Sequence, residues 1–468
     1  MLRQGKDGNM AEMVSLEIPR LLFAAPQSGS GKTTVVCAVL RALLNRKLRV
    51  AAFKSGPDYI DPMFHSKVIG AKSRNLDLFL TGSENVKRLL AKNSRNIDIA
   101  ILEGAMGFYD GMGKTVEASA YDLSRTVKAP VVLIINGKGA ALSMAALVKG
   151  FKEFRQDSNI QGVILNNVKK MTYQFYKDVL EQETGIRVYG YFPHLPECNL
   201  ESRHLGLVTA EEIGSLESIV EKLAEQAQES VDLDGLVNLA RTAEPLQYMP
   251  LEIKQEGAVK IAVARDKAFC FYYQDSLDLL AMLGAEIVPF SPLNDSHLPE
   301  CDGVFLGGGY PELYAKQLSG NESLRAELRN KLEEGLPCYA ECGGFMYLME
   351  GYRDNERFYP WTGAVKGTCW MTDKLVRFGY VTMTAETDNV LCKAGDSIHA
   401  HEFHYSDSDQ NGSAFTAAKA GRSNSWPAAQ ANDTLYAGYP HLHLWGNISF
   451  AKNFVKACVR YQKDHFHK

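Results

Sequence analysis

A short apolar run, Leu21-Leu22-Phe23-Ala24-Ala25, leads directly into Pro26-Gln27-Ser28-Gly29-Ser30-Gly31-Lys32-Thr33-Thr34, and this junction constrains the fold more than any other stretch. A buried strand has to end there, a glycine-containing loop has to turn, and a helix has to begin near Lys32. In that setting the loop N–H groups and the helix N-terminus face an anion, Lys32 reaches the outer phosphates and the Thr33 hydroxyl can ligate magnesium. Pro26 occupies the place of the first glycine in the usual GxxxxGK[ST] pattern, while the remaining GSGKTT keeps its strand-to-helix context. Ser28, Gly29, Ser30, Gly31, Lys32, Thr33 and Thr34 are the ATP-binding candidates that follow.

The same alternation of strand, turn and helix continues to about Gly190. Leu21–Ala25, Val50–Lys54, Ile97–Leu102, Val131–Ile135 and Val163–Leu165 are continuous apolar runs, the pattern of parallel strands covered on both faces. A doubly wound α/β domain is predicted over residues 19–210, after an extension, residues 1–18, expected to be mobile. Residues 211–257 read as a charged helical segment and a linker with little sheet signal. A second α/β pattern fills residues 258–460. It has strands at Val259–Ala264, Ala285–Phe290, Gly303–Leu306 and Pro337–Ala340, helices near Asp275–Leu283 and Glu322–Glu334, and antiparallel strands from the alternating stretch Leu375 to Ala418.

Acidic residues cluster where the strands of the first domain end. Lys54-Ser55-Gly56-Pro57-Asp58-Tyr59-Ile60-Asp61-Pro62 follows one strand and Glu103-Gly104-Ala105-Met106-Gly107-Phe108-Tyr109-Asp110-Gly111 follows another. Ligands of open α/β sheets bind outside the carboxyl ends of the strands, so these loops converge on the phosphates. Asp58, Asp61, Glu103 and Asp110 can hold magnesium or orient a carboxylate substrate; capping of helices and turns is the alternative for each. Asn166 can read an adenine edge or serve as a turn residue. Lys54, Arg74 and Lys138 can pair with substrate carboxylates or remain solvated.

In the second domain, a strand ending at Cys342 and followed by Gly343-Gly344 and the helical Phe345–Met349 describes a sharp elbow that exposes a thiol. Upstream, Leu306-Gly307-Gly308-Gly309-Tyr310-Pro311-Glu312 offers backbone amides; Gly308, Gly309 and Gly343 are the oxyanion-hole candidates. His441, in Tyr439-Pro440-His441-Leu442-His443, is the natural base. The lone-cysteine alternative, a buried inert thiol, fits Cys338 better because that residue lacks the elbow. His399, His401 and His404 do not follow the HExxH spacing of a helical metal site, and strand alternation sends His401 and His404 to opposite faces.

At 468 residues the chain has room for two domains, each with its own core, and a formal net charge of −4 gives no sign of a nucleic-acid surface. Nine scattered cysteines without a CxxC pair fit a reducing cytoplasm. No signal peptide or membrane span is read from the sequence, so the expected partners are small molecules.

Together APQSGSGKTT, FKSGPDYIDPMFH, EGAMGFYDG, GGGYPELY, YAECGGF, HEFHYS and YPHLHLWGN resemble the cobyrinic acid a,c-diamide synthase family over residues 19 to 460. The resemblance implies a P-loop domain like dethiobiotin synthetase followed by a flavodoxin-like class I glutamine amidotransferase domain of the cobyric acid synthase type. It implies ATP- and glutamine-dependent amidation of the a and c acetate groups of a corrin ring through acyl phosphates, with Mg2+. Cys342 would be the nucleophile and His441 its activator. Thr33, Asp58 and Glu103 would serve the metal, and Asp58, Tyr59, Asp61 and Asp110 the substrate. The acid expected two positions after His441 is replaced by His443, so a two-residue pair would carry the glutaminase chemistry.

Hydrogenobyrinic acid and Ni-sirohydrochlorin are alternative rings, and a regulatory P-loop ATPase with a non-catalytic amidotransferase module is the alternative of a different class. Ammonia released at Cys342 has to reach the acyl phosphate before it is protonated. The sequence leaves the oligomeric state open, with a homodimer as one option.

Overall fold

Seven strands line up in one fully parallel sheet in the order Lys72–Leu76, Val50–Ser55, Ile99–Glu103, Arg20–Ala24, Val131–Asn136, Ile160–Asn166 and Arg187–Phe192. A computed structural model of the protein describes residues 12–198, 210–355 and 357–466. These form two compact units, one ending at Glu252 and one running from Ile253, with Phe79–Thr81 grouped with the second. In the first sheet every side chain of Arg20–Ala24 and Ile99–Glu103 is buried, as two covered faces require. The strand order reverses between these two neighbours, and the phosphate loop leaves the end of one while Glu103 ends the other.

Two expectations for this unit are corrected. Within the extension, Val14–Leu16 is a strand paired antiparallel with Leu246–Tyr248; residues 1–11 lie outside the described residues. The helical segment expected within 211–257 is present, but the stretch through Glu252 belongs to the first unit rather than leading into a separate linker. Helix Ala210–Ser230 lies along helix Lys32–Asn45, where Arg41 Nε donates to Glu221 at 2.6 Å. The fully buried Arg20 guanidinium also ties this stretch down, donating to the Glu244 carbonyl at 2.7 Å. Such pairings join residues 180 and 224 positions apart and leave no local pattern.

The second unit is built on a six-stranded sheet in the order Ala285–Phe290, Val259–Ala264, Gly303–Leu306, Cys338–Glu341, Leu435–Gly438 and Gln430–Ala431. The first five are parallel, and in chain order they read 2-1-3-4-5, the flavodoxin-like arrangement. Antiparallel strands occupy the chain between Glu341 and Leu435, among them Arg377–Ala385 paired with Ser397–His404. A closed apolar core, including Leu306, Cys338, Ala340, Phe345 and Tyr439, lies beneath the nucleophile elbow. Among the described residues no helix is long and apolar enough to cross a membrane.

Candidate active sites

In the first unit Gly31 adopts a left-handed φ of 84° at the entry of helix Lys32–Asn45. A Cβ there would stand 2.0 Å from Asn166 Nδ2, so a side chain would be strained by the backbone and would displace Asn166. The Asn166 amide in turn donates to the Ser30 carbonyl at 3.0 Å, bracing the loop. The loop after Glu103 is fastened to the phosphate-loop strand: Gly104 N–H donates to the Phe23 carbonyl at 2.9 Å and Phe108 N–H to the Ala25 carbonyl at 2.8 Å.

Lys32 Nζ donates to the Met106 carbonyl at 2.8 Å. Burial, and then the charge of Lys54, pull Lys32 down to about 8, so an incoming phosphate would meet an ammonium short of counter-charge. Thr33 Oγ1 donates to Glu103 Oε1 at 2.7 Å. Lys54 Nζ reaches the same oxygen at 2.8 Å and Asp61 Oδ2 at 2.6 Å. Burial works against the Lys54 charge, yet Glu103 and then Asp61 outweigh it and hold the ammonium well above the ordinary lysine value. His65, fully buried, places Nε2 3.5 Å from Glu103 Oε2.

The Thr33 hydroxyl and the Glu103 carboxylate fit magnesium. That ion keeps several waters and takes one or two protein oxygens together with substrate phosphates, rather than a cage of side chains. The described residues contain no group of three or more His, Cys, Asp or Glu placed to hold a metal.

Of the four predicted acids, Glu103 and Asp61 share Lys54, whereas Asp58 and Asp110 close their own turns. Asp58 Oδ1 accepts from the N–H groups of Ile60 at 2.8 Å and Asp61 at 3.3 Å, and Asp110 Oδ2 accepts from Gly107 N–H at 3.1 Å. Thr33 and Glu103 of the predicted metal set are therefore in direct contact, and Asp58 is turned onto the start of helix Ile60–Phe64. Burial, and then the neighbouring Asp61, push the Asp58 carboxyl up to about 6. Tyr59 immediately precedes that helix. Lys54 was legible only as a weakly placed cation and His65 only as part of a motif.

In the second unit Cys342 sits between strand Cys338–Glu341 and helix Gly343–Leu348 at φ 47°, ψ −107°. This is a strained conformation for a residue with a Cβ, and it turns the thiol out of the sheet at the elbow. The Cys342 N–H donates to the Gly438 carbonyl at 2.8 Å, locking the nucleophile to the next strand. The turn closes because Gly344 has no side chain: a Cβ would lie 2.2 Å from the Leu306 carbonyl oxygen. A Cβ at Gly343 would lie 3.1 Å from Gly309 N, and one at Gly308 would lie 2.5 Å from His441 Cε1. The three oxyanion-hole candidates and the base thus gather around Cys342.

His441 is buried and hydrogen-bonded to Cys342. Burial opposes its charge, but the interaction with Cys342, that hydrogen bond and Glu341 outweigh it and raise the imidazolium to about 10. His401 faces it across the strand pair; burial and the charge of His441 hold His401 neutral, down to about 3. His404 stacks on Tyr439 at 4.0 Å and its Nδ1 pairs with the Ser406 carbonyl at 2.7 Å. Glu341 is the residue that reading of the sequence passed over: its Oε2 lies 3.3 Å from His441 Nδ1.

The two halves match known families separately. Residues 21–207 match the CobQ/CobB/MinD/ParA nucleotide binding domain, and residues 260–448 match the CobB/CobQ-like glutamine amidotransferase domain. Across the chain, the cobyrinate a,c-diamide synthase of Caldanaerobacter subterraneus subsp. tengcongensis is 41% identical, covering 93% of this chain and 98% of that protein. The protein of the same name from Thermoplasma volcanium is 40% identical over 96% of this chain and 99% of its own length. That of Clostridium acetobutylicum is 41% identical over 93% and 99%. With both domains matched in order and nearly complete coverage in each direction, the chain belongs to the cobyrinate a,c-diamide synthase family.

Proposed function

We propose that this protein converts cobyrinic acid to its a,c-diamide, using ATP to activate each carboxylate and glutamine to supply nitrogen. The observation that carries this reading is the strained elbow that presses Cys342 against His441 in a chain whose other unit holds a braced phosphate loop. A ring carboxylate oxygen attacks the γ-phosphorus, ADP departs, and an acyl phosphate forms. Residues Ser28 to Thr34 bind the nucleotide, Lys32 leaves the Met106 carbonyl for the outer phosphates, and Thr33 and Glu103 would hold magnesium, which supplies charge neutralisation at the phosphates. The loops that carry Asp58, Tyr59, Asp61 and Asp110 would receive the ring, with Asp58 and Asp110 shaping their turns and Asp61 holding Lys54, and Asn166 fixes the loop that meets the nucleotide.

At the other site His441 takes the Cys342 proton and the thiolate attacks the glutamine amide carbon. The oxyanion is met by backbone N–H groups of the Gly308–Gly309 segment and Gly343. His441 then protonates the departing ammonia. Water cleaves the thioester to glutamate, and ammonia displaces phosphate from the activated carboxylate. We place this chemistry in the cytoplasm, where ATP and glutamine are abundant.

Mass spectrometry of purified protein with ATP, magnesium, glutamine and cobyrinic acid tests the proposal, with hydrogenobyrinic acid and Ni-sirohydrochlorin in parallel. Two successive amidations of cobyrinic acid are expected. Preference for another ring would reassign the substrate, and no amidation of any ring despite ATP binding would overturn the reading in favour of a regulatory ATPase.

A further inference from the structure

His443 stands where class I amidotransferases are expected to carry an acid, and its ring is stacked on Tyr273 at 4.7 Å. His441 nevertheless meets a carboxylate, and that group comes from the residue directly before the nucleophile. Glu341 is 2% exposed, and its two oxygens have separate tasks. Oε1 accepts from the Leu442 N–H at 2.8 Å and from the Tyr339 hydroxyl. Oε2 lies 3.3 Å from His441 Nδ1. The strand ladder sets this up: Glu341 pairs with Gly438 on the neighbouring parallel strand, so the chain reaches His441 three residues later, beside the end of the nucleophile strand.

We propose that Glu341 is the third member of the glutaminase apparatus, a positioning residue that fixes the His441 ring with Nδ1–H toward the carboxylate and Nε2 toward Cys342. The inference rests on the reading that Cys342 and His441 cleave glutamine. A buried carboxylate is costly unless hydrogen-bonded and opposed by positive charge. Here two donors hold one oxygen and the imidazole takes the other, so the full stabilisation of Glu341 arises when His441 is protonated. That is the state generated when Cys342 ionises, and the carboxylate therefore favours the thiolate–imidazolium pair over the neutral one. The groups facing His441 are then Cys342, Glu341 and the neutral His401. Nucleophile and orienting acid are consecutive residues of one strand end, so they hold the base from both sides without a contribution from the segment after it.

The test compares wild type, Glu341→Gln, Cys342→Ser and His443→Gln with glutamine and with ammonium chloride as nitrogen donors, the ammonium-driven rate reporting on folding. For Glu341→Gln the expected result is a loss of about tenfold or more in kcat with glutamine, the scale set by one lost charge-assisted hydrogen bond, with the ammonium-driven rate retained. The alkaline limb of the glutamine-dependent pH profile should move to lower pH by about one unit or more, because the imidazolium loses its carboxylate. Equal losses with both donors, a full glutamine rate, an unmoved alkaline limb, or the same selective loss in His443→Gln instead would each overturn the role of Glu341. Continued glutamine use by Cys342→Ser would overturn the underlying reading as well. A Cys342→Ser enzyme inactive with glutamine beside a fully active Glu341→Gln enzyme would remove Glu341 alone.

Discussion

Gly308 lies against the imidazole of His441 so closely that a Cβ at that position would stand 2.5 Å from Cε1. The neighbour it would meet is a buried ring already held by Cys342 and Glu341, so the ring has to move. Gly308→Ala is expected to lower glutamine-dependent amidation about tenfold to a hundredfold through misplacement of the base, on the scale that small displacements cost. The ammonium-driven rate should be retained. Parallel assays with the two nitrogen donors check this, and equal rates with both would show that the ring accommodates the methyl group.

Lys54 neutralises Glu103 and Asp61 in one buried cluster. Removing it as Lys54→Met leaves two carboxylates without their cation, a change expected to cost about 3–5 kcal/mol. Thermal unfolding of Lys54→Met, Asp61→Asn and the double variant forms a cycle. The double variant should be less damaged than the sum of the singles, because Asp61→Asn removes one of the stranded charges. ATP-dependent amidation should be lost with either nitrogen donor, since Glu103 also receives the Thr33 hydroxyl.

Much of this geometry was legible in the sequence, with identifiable exceptions. The strands of continuous apolar residues and the loops Ser28–Thr34 and Cys342–Gly344 announce themselves because burial on two faces and tight turns restrict residue choice locally. Lys72–Leu76 does not, because its sequence, KSRNL, is largely polar and it sits at the edge of its sheet. Glu341 was visible as a letter in YAECGGF, but its meaning depends on the register between strands about a hundred positions apart. Asp58 and Asp110 looked equivalent to Asp61 and Glu103; only the backbone conformation separates acids that close turns from acids that share Lys54.

Cys342 holds φ 47° although it carries a side chain. Backbone strain of this kind typically costs about 1–3 kcal/mol, and glycine relieves it while adding unfolded-state freedom. Both Cys342→Gly and Cys342→Ala abolish the thiol, so their comparison isolates the strain. The glycine variant is expected to be more stable by about 1 kcal/mol, the part of the strain left after the entropy term, while neither uses glutamine. Denaturation midpoints read the difference, and an alanine variant of equal or greater stability would count against strain at the elbow.

The raised His441 value gives stability a definite pH dependence. Its folded-state value lies at about 10 against an ordinary 6.5. The stabilisation from the charged imidazole is complete below the ordinary value and disappears as pH rises through the folded one. The stability advantage of wild type over His441→Gln should accordingly be large at pH 6, shrink between 6.5 and 10, and be lost above 10. Urea midpoints of the two proteins across this range provide the measurement; a gap that widens with pH would contradict the assignment.

Strand Leu435–Gly438 pairs directly with strand Cys338–Glu341 although about a hundred residues separate them along the chain. During synthesis, therefore, the cysteine emerges well before the segment that completes its site, and every described strand of the ATP-handling unit has emerged before either. Domains tend to fold in that same N-to-C order. In that order the strands of the first unit are all available before the cysteine's surroundings can close, and a ribosome that stalls between the two strands leaves Cys342 without the Gly438 carbonyl that locks it.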